Sequence, residues 1–227
     1  MELGANPYFT TILLSCFTSL ELNLANYFGQ TNGRYSQKVS FKDIKERKII
    51  CKELEYQHFN VENDSFPYVE GQFDLVIFAE IIEHLLSDPC KVLREIRRIL
   101  KPDGTLILTT PNIARLENVE RLIAGENIYD PYSGYGPYGR HNREFNRHEL
   151  VELLKYEGFE PEVHFTANVH NVDLAHYVNV NKISKLIKFR KNDLGQYIFV
   201  RAKNTNKKIG TKRPSWLYRS LPADQLE

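Results

Sequence analysis

The sequence predicts an α/β domain built on a doubly wound, mostly parallel sheet, and three observations carry that expectation. Phe73-Asp74-Leu75-Val76-Ile77-Phe78-Ala79 is a near-continuous apolar run, the pattern of a strand buried on both faces. The segment that follows reads as a helix with both ends marked. Asp88 caps it, Pro89 opens it, and Val92, Leu93, Ile96, Ile99 and Leu100 form one apolar stripe. Pro102-Asp103-Gly104 stops it, and residues 105–110 make a second buried strand closed by Pro111-Asn112. Strands alternating with helices place helices on both faces of the sheet.

The remaining elements are weaker. Glu2-Leu3 reads as the end of a strand, followed by a loop at Gly4 and Ala5. Asn6 suits a helix cap and Pro7 a first helical position, so a helix is expected over residues 7–16. Residues 17–25 alternate apolar and polar side chains and are expected as a strand. A polar segment rich in Gly, Asn and Lys runs to about Arg47, followed by short strand-like pieces at 48–51 and 55–59. Asn146 and Glu149 make a capping box for a helix ending at Gly158, and residues 162–167 and 196–202 are further strands. One domain is expected over residues 1–203, with a Tyr/Gly-rich insertion at about 113–145. The polar, basic tail 204–227 is expected to be mobile.

Composition narrows the function classes. The net charge of +1 gives no field that would draw nucleic acid or an anionic membrane. Cys16, Cys51 and Cys90 have no metal-ligand spacing and read as reduced thiols, so no metal and a cytoplasmic location are expected. The apolar stretch at 8–17 is too short to span a bilayer and is interrupted by Thr and Ser. It lacks the basic residues that open a signal peptide.

In doubly wound sheets ligands sit at the carboxyl ends of the strands, where strand order switches. Four tips are therefore candidates: residues 4–6, 23–26, 60–62 and 79–84. At these tips the chain resembles the class I methyltransferases, which share a Rossmann-like fold, and especially the ubiquinone-biosynthesis and sugar methyltransferases. The block Phe73-Asp74-Leu75-Val76-Ile77-Phe78-Ala79-Glu80-Ile81-Ile82-Glu83-His84-Leu85 carries the resemblance. It continues through Asp88-Pro89 and Leu93-Arg94-Glu95-Ile96-Arg97-Arg98-Ile99-Leu100-Lys101-Pro102-Asp103-Gly104 to Thr109-Thr110-Pro111-Asn112. The family's acidic residue and Gly-x-Gly-x-Gly motif reads here as Glu2-x-Gly4-Ala5-Asn6-Pro7, so one glycine of three is kept. The strand leading into it is cut short at Met1, and an upstream strand and helix are expected to be missing.

The resemblance implies S-adenosylmethionine as cofactor and a small-molecule acceptor. It assigns Glu2, Gly4, Ala5 and Asn6 to the amino acid end of the cofactor and Asn26 to the ribose hydroxyls. Asn60, Val61 and Glu62, with Glu62 ahead of Asn60, fall to the adenine, and Ala79 and Glu80 at the end of the central strand are also assigned to cofactor binding. At Asn26 a plain turn asparagine is the alternative, and at Glu62 a surface acid. His84 is the candidate general base facing the acceptor, because imidazole accepts a proton near neutral pH. The alternative is a hydrogen-bonded structural histidine. His141, between Arg140 and Arg143, is a second catalytic candidate that suits an anionic acceptor such as a nucleotide sugar. Tyr129, Tyr132, Tyr135 and Tyr138 suit a lid over a sugar or flat ring, or a solvated insertion. Two competing functions follow. One is a non-catalytic relative with a degraded cofactor site that serves as partner or scaffold. The other is a nicotinamide oxidoreductase, disfavoured because two glycines of Gly-x-Gly-x-x-Gly are absent.

Overall fold

The computed structural model describes residues 1–5, 9–43, 47–171, 185, 187–205 and 207–227. Eight strands form one sheet: β1 (Glu2–Leu3), β2 (Leu24–Asn26), β3 (Gly33–Asp43), β4 (Lys48–His58), β5 (Phe73–Ala79), β6 (Leu100–Pro111), β7 (Phe159–Ala167) and β8 (Tyr197–Asn204). Among the described residues the sheet is accompanied by the helices α1 (Phe9–Phe17), α2 (Pro89–Ile99), α3 (Leu116–Ile123) and α4 (Arg147–Tyr156). The strand order is β3-β4-β2-β1-β5-β6-β8-β7. The stretch from β4 to β6 is parallel, β8 runs antiparallel between β6 and β7, and β3 lies antiparallel on the β4 edge. From β1 the chain goes one way to β2 and β4, then returns to β5 on the other side. The switch in strand order therefore lies at β1.

The core explains why the central block was legible. Val92, Leu93, Ile96 and Ile99 of α2 are fully buried and share one cluster with Val76, Phe78, Leu106 and Leu108 of β5 and β6. Each such side chain contributes roughly 1.5–3 kcal/mol on burial. The Asp88 side chain accepts from the Lys91 amide at 3.1 Å, as a cap should. Asn146 caps α4 by accepting from the Glu149 amide, and Gly158 ends that turn at φ +80°.

Three expectations need correction. Residues 17–25 give a strand only at Leu24–Asn26. Phe17 closes α1, residues 17–21 lie exposed, and Leu22 and Asn23 are half-buried ahead of the strand. The polar segment before Arg47 is β3, which pairs along its full length with β4 as an edge hairpin, and the two strand-like pieces merge into that one strand β4. On β3 the exposed Arg34, Ser36, Lys38, Ser40 and Lys42 alternate with the more buried Tyr35, Gln37, Val39 and Phe41, a period of two that marks one solvent face and one covered face.

The described part of the tail lies along α2. Arg213 pairs with Asp88 (Nη2–Oδ2 2.7 Å), and the Tyr218 hydroxyl donates to Asp88 Oδ1 at 2.7 Å. Arg94 donates to the carbonyls of Thr211 and Lys212 at 2.9 and 2.7 Å, while Leu217 and Tyr218 pack against the core. Asn6 and Pro7 lie outside the described residues. No described helix is long and apolar enough to cross a membrane.

Candidate functional site

A cavity of about 560 Å³ opens at the carboxyl ends of β1, β2, β4 and β5, the place the strand order dictates. Each tip delivers its side chains because parallel strands end on the same edge. Glu2, Leu3 and Gly4 come from β1, Asn26 with Tyr27 and Phe28 from β2, and Asn60 and Val61 from the loop after β4. Ala79, Glu80, Ile81 and His84 follow β5.

Gly4 sits at φ +76°, and a Cβ built on it would meet Ile81 Cδ1 at 2.7 Å. The glycine is required by its left-handed backbone, and the contact with the tip of the Ile81 side chain adds a smaller cost that a shift of Ile81 can relieve. Glu2 is buried. The Thr11 hydroxyl donates to its Oε1 at 3.1 Å, while Oε2 has no hydrogen-bond partner. Burial pushes the Glu2 carboxyl up, and the Thr11 hydroxyl opposes that shift.

Several predicted residues behave differently from expectation. The Ala5 amide already donates to the Ala25 carbonyl at 2.9 Å, so it offers a ligand nothing. Asn26 reaches the cavity, but its Nδ2 donates to Ala5 O at 2.7 Å and its Oδ1 accepts from the Tyr27 amide. It braces the first loop. Glu62 is the clearest departure. Its carboxylate accepts from the amides of Leu86, Ser87 and Asp88 and from the Ser87 hydroxyl, at 2.6–3.1 Å. Burial would raise the carboxyl, but those four donors outweigh it and hold Glu62 below the usual range. Glu62 thus fastens the loop leading into α2 and does not line the cavity, whereas Asn60 and Val61 do.

Past β5 the chain turns sharply. Glu80 takes φ +54°, rare for a side chain of its size. Two anchors hold it there: its amide donates to Thr109 O, and the Thr109 hydroxyl donates to Glu80 Oε1 at 2.6 Å. The 3-10 turn Ile82–His84 follows. Glu83 lies fully buried beside it. The Thr110 hydroxyl donates to its Oε2 at 2.9 Å, and Oε1 is unpartnered. Burial, with the neighbouring Glu80 charge, pushes the Glu83 carboxyl up to about 8.

The insertion returns onto this turn. Asn142 and Arg143 donate their amides to Glu83 O, and Asn142 Nδ2 donates to His84 O at 2.9 Å. His84 Nδ1 lies 2.9 Å from Arg140 O, which fixes the Nδ1–H tautomer, and burial lowers its pKa. His141 does not line the cavity, but its ring stands edge-on to His84 at 5.0 Å. Glu144 Oε1 holds His141 Nδ1 at 2.8 Å and raises its pKa, and Arg115 pairs with the same carboxylate.

Sequence reasoning missed Tyr27 and Phe28, which follow Asn26 directly, and the seat of Tyr138. Aromatic residues just past a strand tip were the available signal. Tyr138 lies edge-on to Tyr27 at 6.0 Å, and its hydroxyl accepts from Asn60 Nδ2 at 3.2 Å. Tyr129, Tyr132 and Tyr135 remain exposed, with Arg140 over the Tyr132 ring.

A protein-family model described as a methyltransferase domain matches residues 23–163, more than half of the chain. The chain belongs to this methyltransferase family. The match takes in the tips of β2, β4 and β5 and the insertion, while Glu2 and Gly4 precede it. The methyltransferase domain is 30% identical over 109 residues to a probable S-adenosylmethionine-dependent methyltransferase of Mycolicibacterium smegmatis, covering 48% of this chain and 36% of that protein. It is 31% identical over 112 residues to the mitochondrial ubiquinone biosynthesis O-methyltransferase of Bos taurus, covering 48% and 29%. The matched segment thus spans about a third of the length of these curated relatives. Among solved structures, a possible histamine N-methyltransferase of Thermotoga maritima superposes with a TM-score of 0.43 at 18% identity, covering 66% of this chain and 64% of that one. A Burkholderia thailandensis 1,6-didemethyltoxoflavin-N1-methyltransferase with bound S-adenosylhomocysteine gives 0.38 at 20% identity, covering 66% and 52%.

Proposed function

We propose that this methyltransferase domain transfers a methyl group from S-adenosylmethionine to an oxygen or nitrogen of a small-molecule acceptor. The observation that carries the reading is the pairing of Gly4 and Glu2 at the cavity floor. The left-handed backbone of Gly4 keeps a side chain off the loop at the cavity, and Glu2 holds a buried carboxylate oxygen with no hydrogen-bond partner among the described residues. The residues fit the cofactor: its ammonium would pair with Glu2 and restore the carboxylate that burial disfavours. Asn60, Val61, Tyr27 and the remaining Asn26 lone pair would meet the adenosine end. When bound, the cofactor supplies an electrophilic methyl group on its sulfonium.

The chain's own part is to orient the acceptor and exclude water. Glu80 and His84 border the cavity near the insertion, and His84 with Nδ1 protonated presents Nε2 as a proton acceptor. His141 stands behind His84 and is read as a positioning residue. The exposed Tyr129, Tyr132 and Tyr135, with Arg140 and Arg143 nearby, favour a sugar or glycan precursor bearing an anionic group. The net charge of +1 speaks against nucleic acid, and the sparse, unpaired cysteines speak for the cytoplasm.

Isothermal titration with S-adenosylmethionine and S-adenosylhomocysteine tests the reading. Gly4→Val is expected to abolish detectable binding of both, and unaltered affinity in that variant would sink the cofactor assignment. One observation favours a second reading, a non-catalytic scaffold: the Ala5 amide is already occupied by Ala25 O. Cofactor binding without transfer of labelled methyl to any acceptor would support it.

A further inference from the structure

We propose that the 3-10 segment Lys188–Asp193 is a docking surface for an anionic lipid membrane. Its sequence supplies the first observation. Lys185, Lys188, Arg190 and Lys191 place four cations within seven residues, and no acid stands between Lys185 and Asn192. Ile187 and Phe189 are set among those cations. Cationic and apolar side chains mixed on one short segment suit a bilayer interface, where headgroup charge meets hydrocarbon.

The fold leaves these side chains outside. Phe189 is 84% exposed, although burial of a phenyl ring is strongly favourable. Lys188, Arg190 and Lys191 are exposed as well, and among the described residues no carboxylate pairs with any of them. The next acid along the chain, Asp193, is taken by Arg147 Nε at 2.6 Å. The local positive charge is therefore uncompensated, which the whole-chain balance of +1 conceals.

The segment is nonetheless fixed to the sheet. Asn112 follows the carboxyl end of β6 and donates Nδ2 to Asp193 O at 2.7 Å and to Gly195 O at 2.8 Å. The Thr166 hydroxyl of β7 donates to Asn192 O at 2.8 Å, and the Arg190 amide donates to Ile187 O at 2.8 Å. These bonds use backbone groups and leave the cationic heads and the Phe189 ring to whatever lies outside. Helix α3 starts from the same place, since the Leu116 amide donates to Leu194 O at 3.0 Å, and it ends on the exposed Leu122 and Ile123.

Lipid is the occupant that fits both properties. A single-stranded nucleic acid or an acidic peptide matches the cations but gives Phe189, Leu122 and Ile123 no hydrocarbon to enter. Attachment is peripheral and reversible, because so few cations and one ring make a weak anchor. The tip of β6 lies beside the tip of β5, which opens into the cavity, so docking holds the cavity edge near the headgroups. The docking itself does not depend on the proposed methyl transfer.

Co-sedimentation of the full chain with lipid vesicles tests the proposal. Vesicles of phosphatidylglycerol and phosphatidylcholine in equal parts are expected to bind about tenfold more tightly than phosphatidylcholine alone, and about 0.5 M NaCl should remove the difference. The triple variant K188E/R190E/K191E is expected to lose the preference for anionic vesicles. Phe189→Ala, which keeps every charge, is expected to weaken binding about threefold. Thermal unfolding of both variants should match the unaltered chain, since the substituted side chains are exposed. Equal binding to the two kinds of vesicle, or a preference kept by the triple variant, would overturn the proposal. So would tighter binding to polyglutamate or a single-stranded oligonucleotide than to the anionic vesicles, with Phe189→Ala without effect. None of these readouts uses the cofactor, so loss of the docking surface and loss of the transfer reading are told apart by S-adenosylhomocysteine titration of the same samples.

Discussion

On one side of β1 stand β5, β6 and α2, where Val92, Leu93, Ile96 and Ile99 have no exposed surface. On the other side the β3–β4 hairpin buries only Val39, Tyr56 and His58 among its described residues. Both flanks contribute tips to the cavity, yet they are stabilised differently. The β5–β6 flank is held by close packing between a helix and a sheet. The hairpin is held by its backbone ladder and by a small satellite cluster of Ala5, Leu24 and Tyr56. A cavity between a rigid flank and a lightly packed one can keep its floor fixed while its rim adapts.

Substitutions on the two flanks should break this comparison if it is wrong. The largest effect is expected at the centre of α2, where Ile96→Ala should cost about 2–5 kcal/mol in urea unfolding. A loss below about 1 kcal/mol would mean that α2 packs no more tightly than the hairpin.

Next comes Glu62, which ties the β4 tip to the start of α2. Glu62→Gln should cost about 1–3 kcal/mol, because charged acceptors make the stronger hydrogen bonds. The pH dependence has a definite sign. The folded pKa of Glu62 lies below its ordinary value near 4.5, so its contribution is complete above that value and is lost as pH falls through the lower folded one. The variant should therefore show a flatter acid limb in melts at pH 3–5, and an unchanged limb would remove Glu62 as the clamp.

Arg213→Ala tests the tail strap. The pair with Asp88 is only partly buried, so the expected cost is about 1 kcal/mol or less. Faster proteolysis of the tail should accompany it. The smallest effect belongs to the hairpin: Ile49→Lys, at a position 72% exposed, should change stability by no more than about 0.5 kcal/mol.

How much could be read beforehand follows the same division. Phe73–Ala79, the cap at Asp88 and the stripe on α2 were legible because two-sided burial and helical period leave marks in sequence. β3 was passed over although Tyr35, Val39 and Phe41 alternate with exposed polar residues, because Gly33 and Gln37 dilute that face and the strand is completed only by its pairing with β4. In the site, Gly4, Asn60, Val61 and Glu80 line the cavity because each sits at a strand tip. Glu62 and Ala5 do not, since their partners, the amides of Leu86 to Asp88 and the Ala25 carbonyl, come from elsewhere in the chain.

The loop at Glu2 and Gly4 shows where the two sources meet. By itself the sequence determined the parallel centre of the sheet, its helix α2 and the edge at which a ligand would bind, because local period and capping encode these. Only the tertiary structure decided that Gly4 takes φ +76° against Ile81, and that the Glu2 Oε2 has no hydrogen-bond partner among the described residues. It also decided that His141 meets Glu83 and His84 across more than fifty residues of chain. Such contacts depend on which strand tips lie side by side, and no local pattern carries that information.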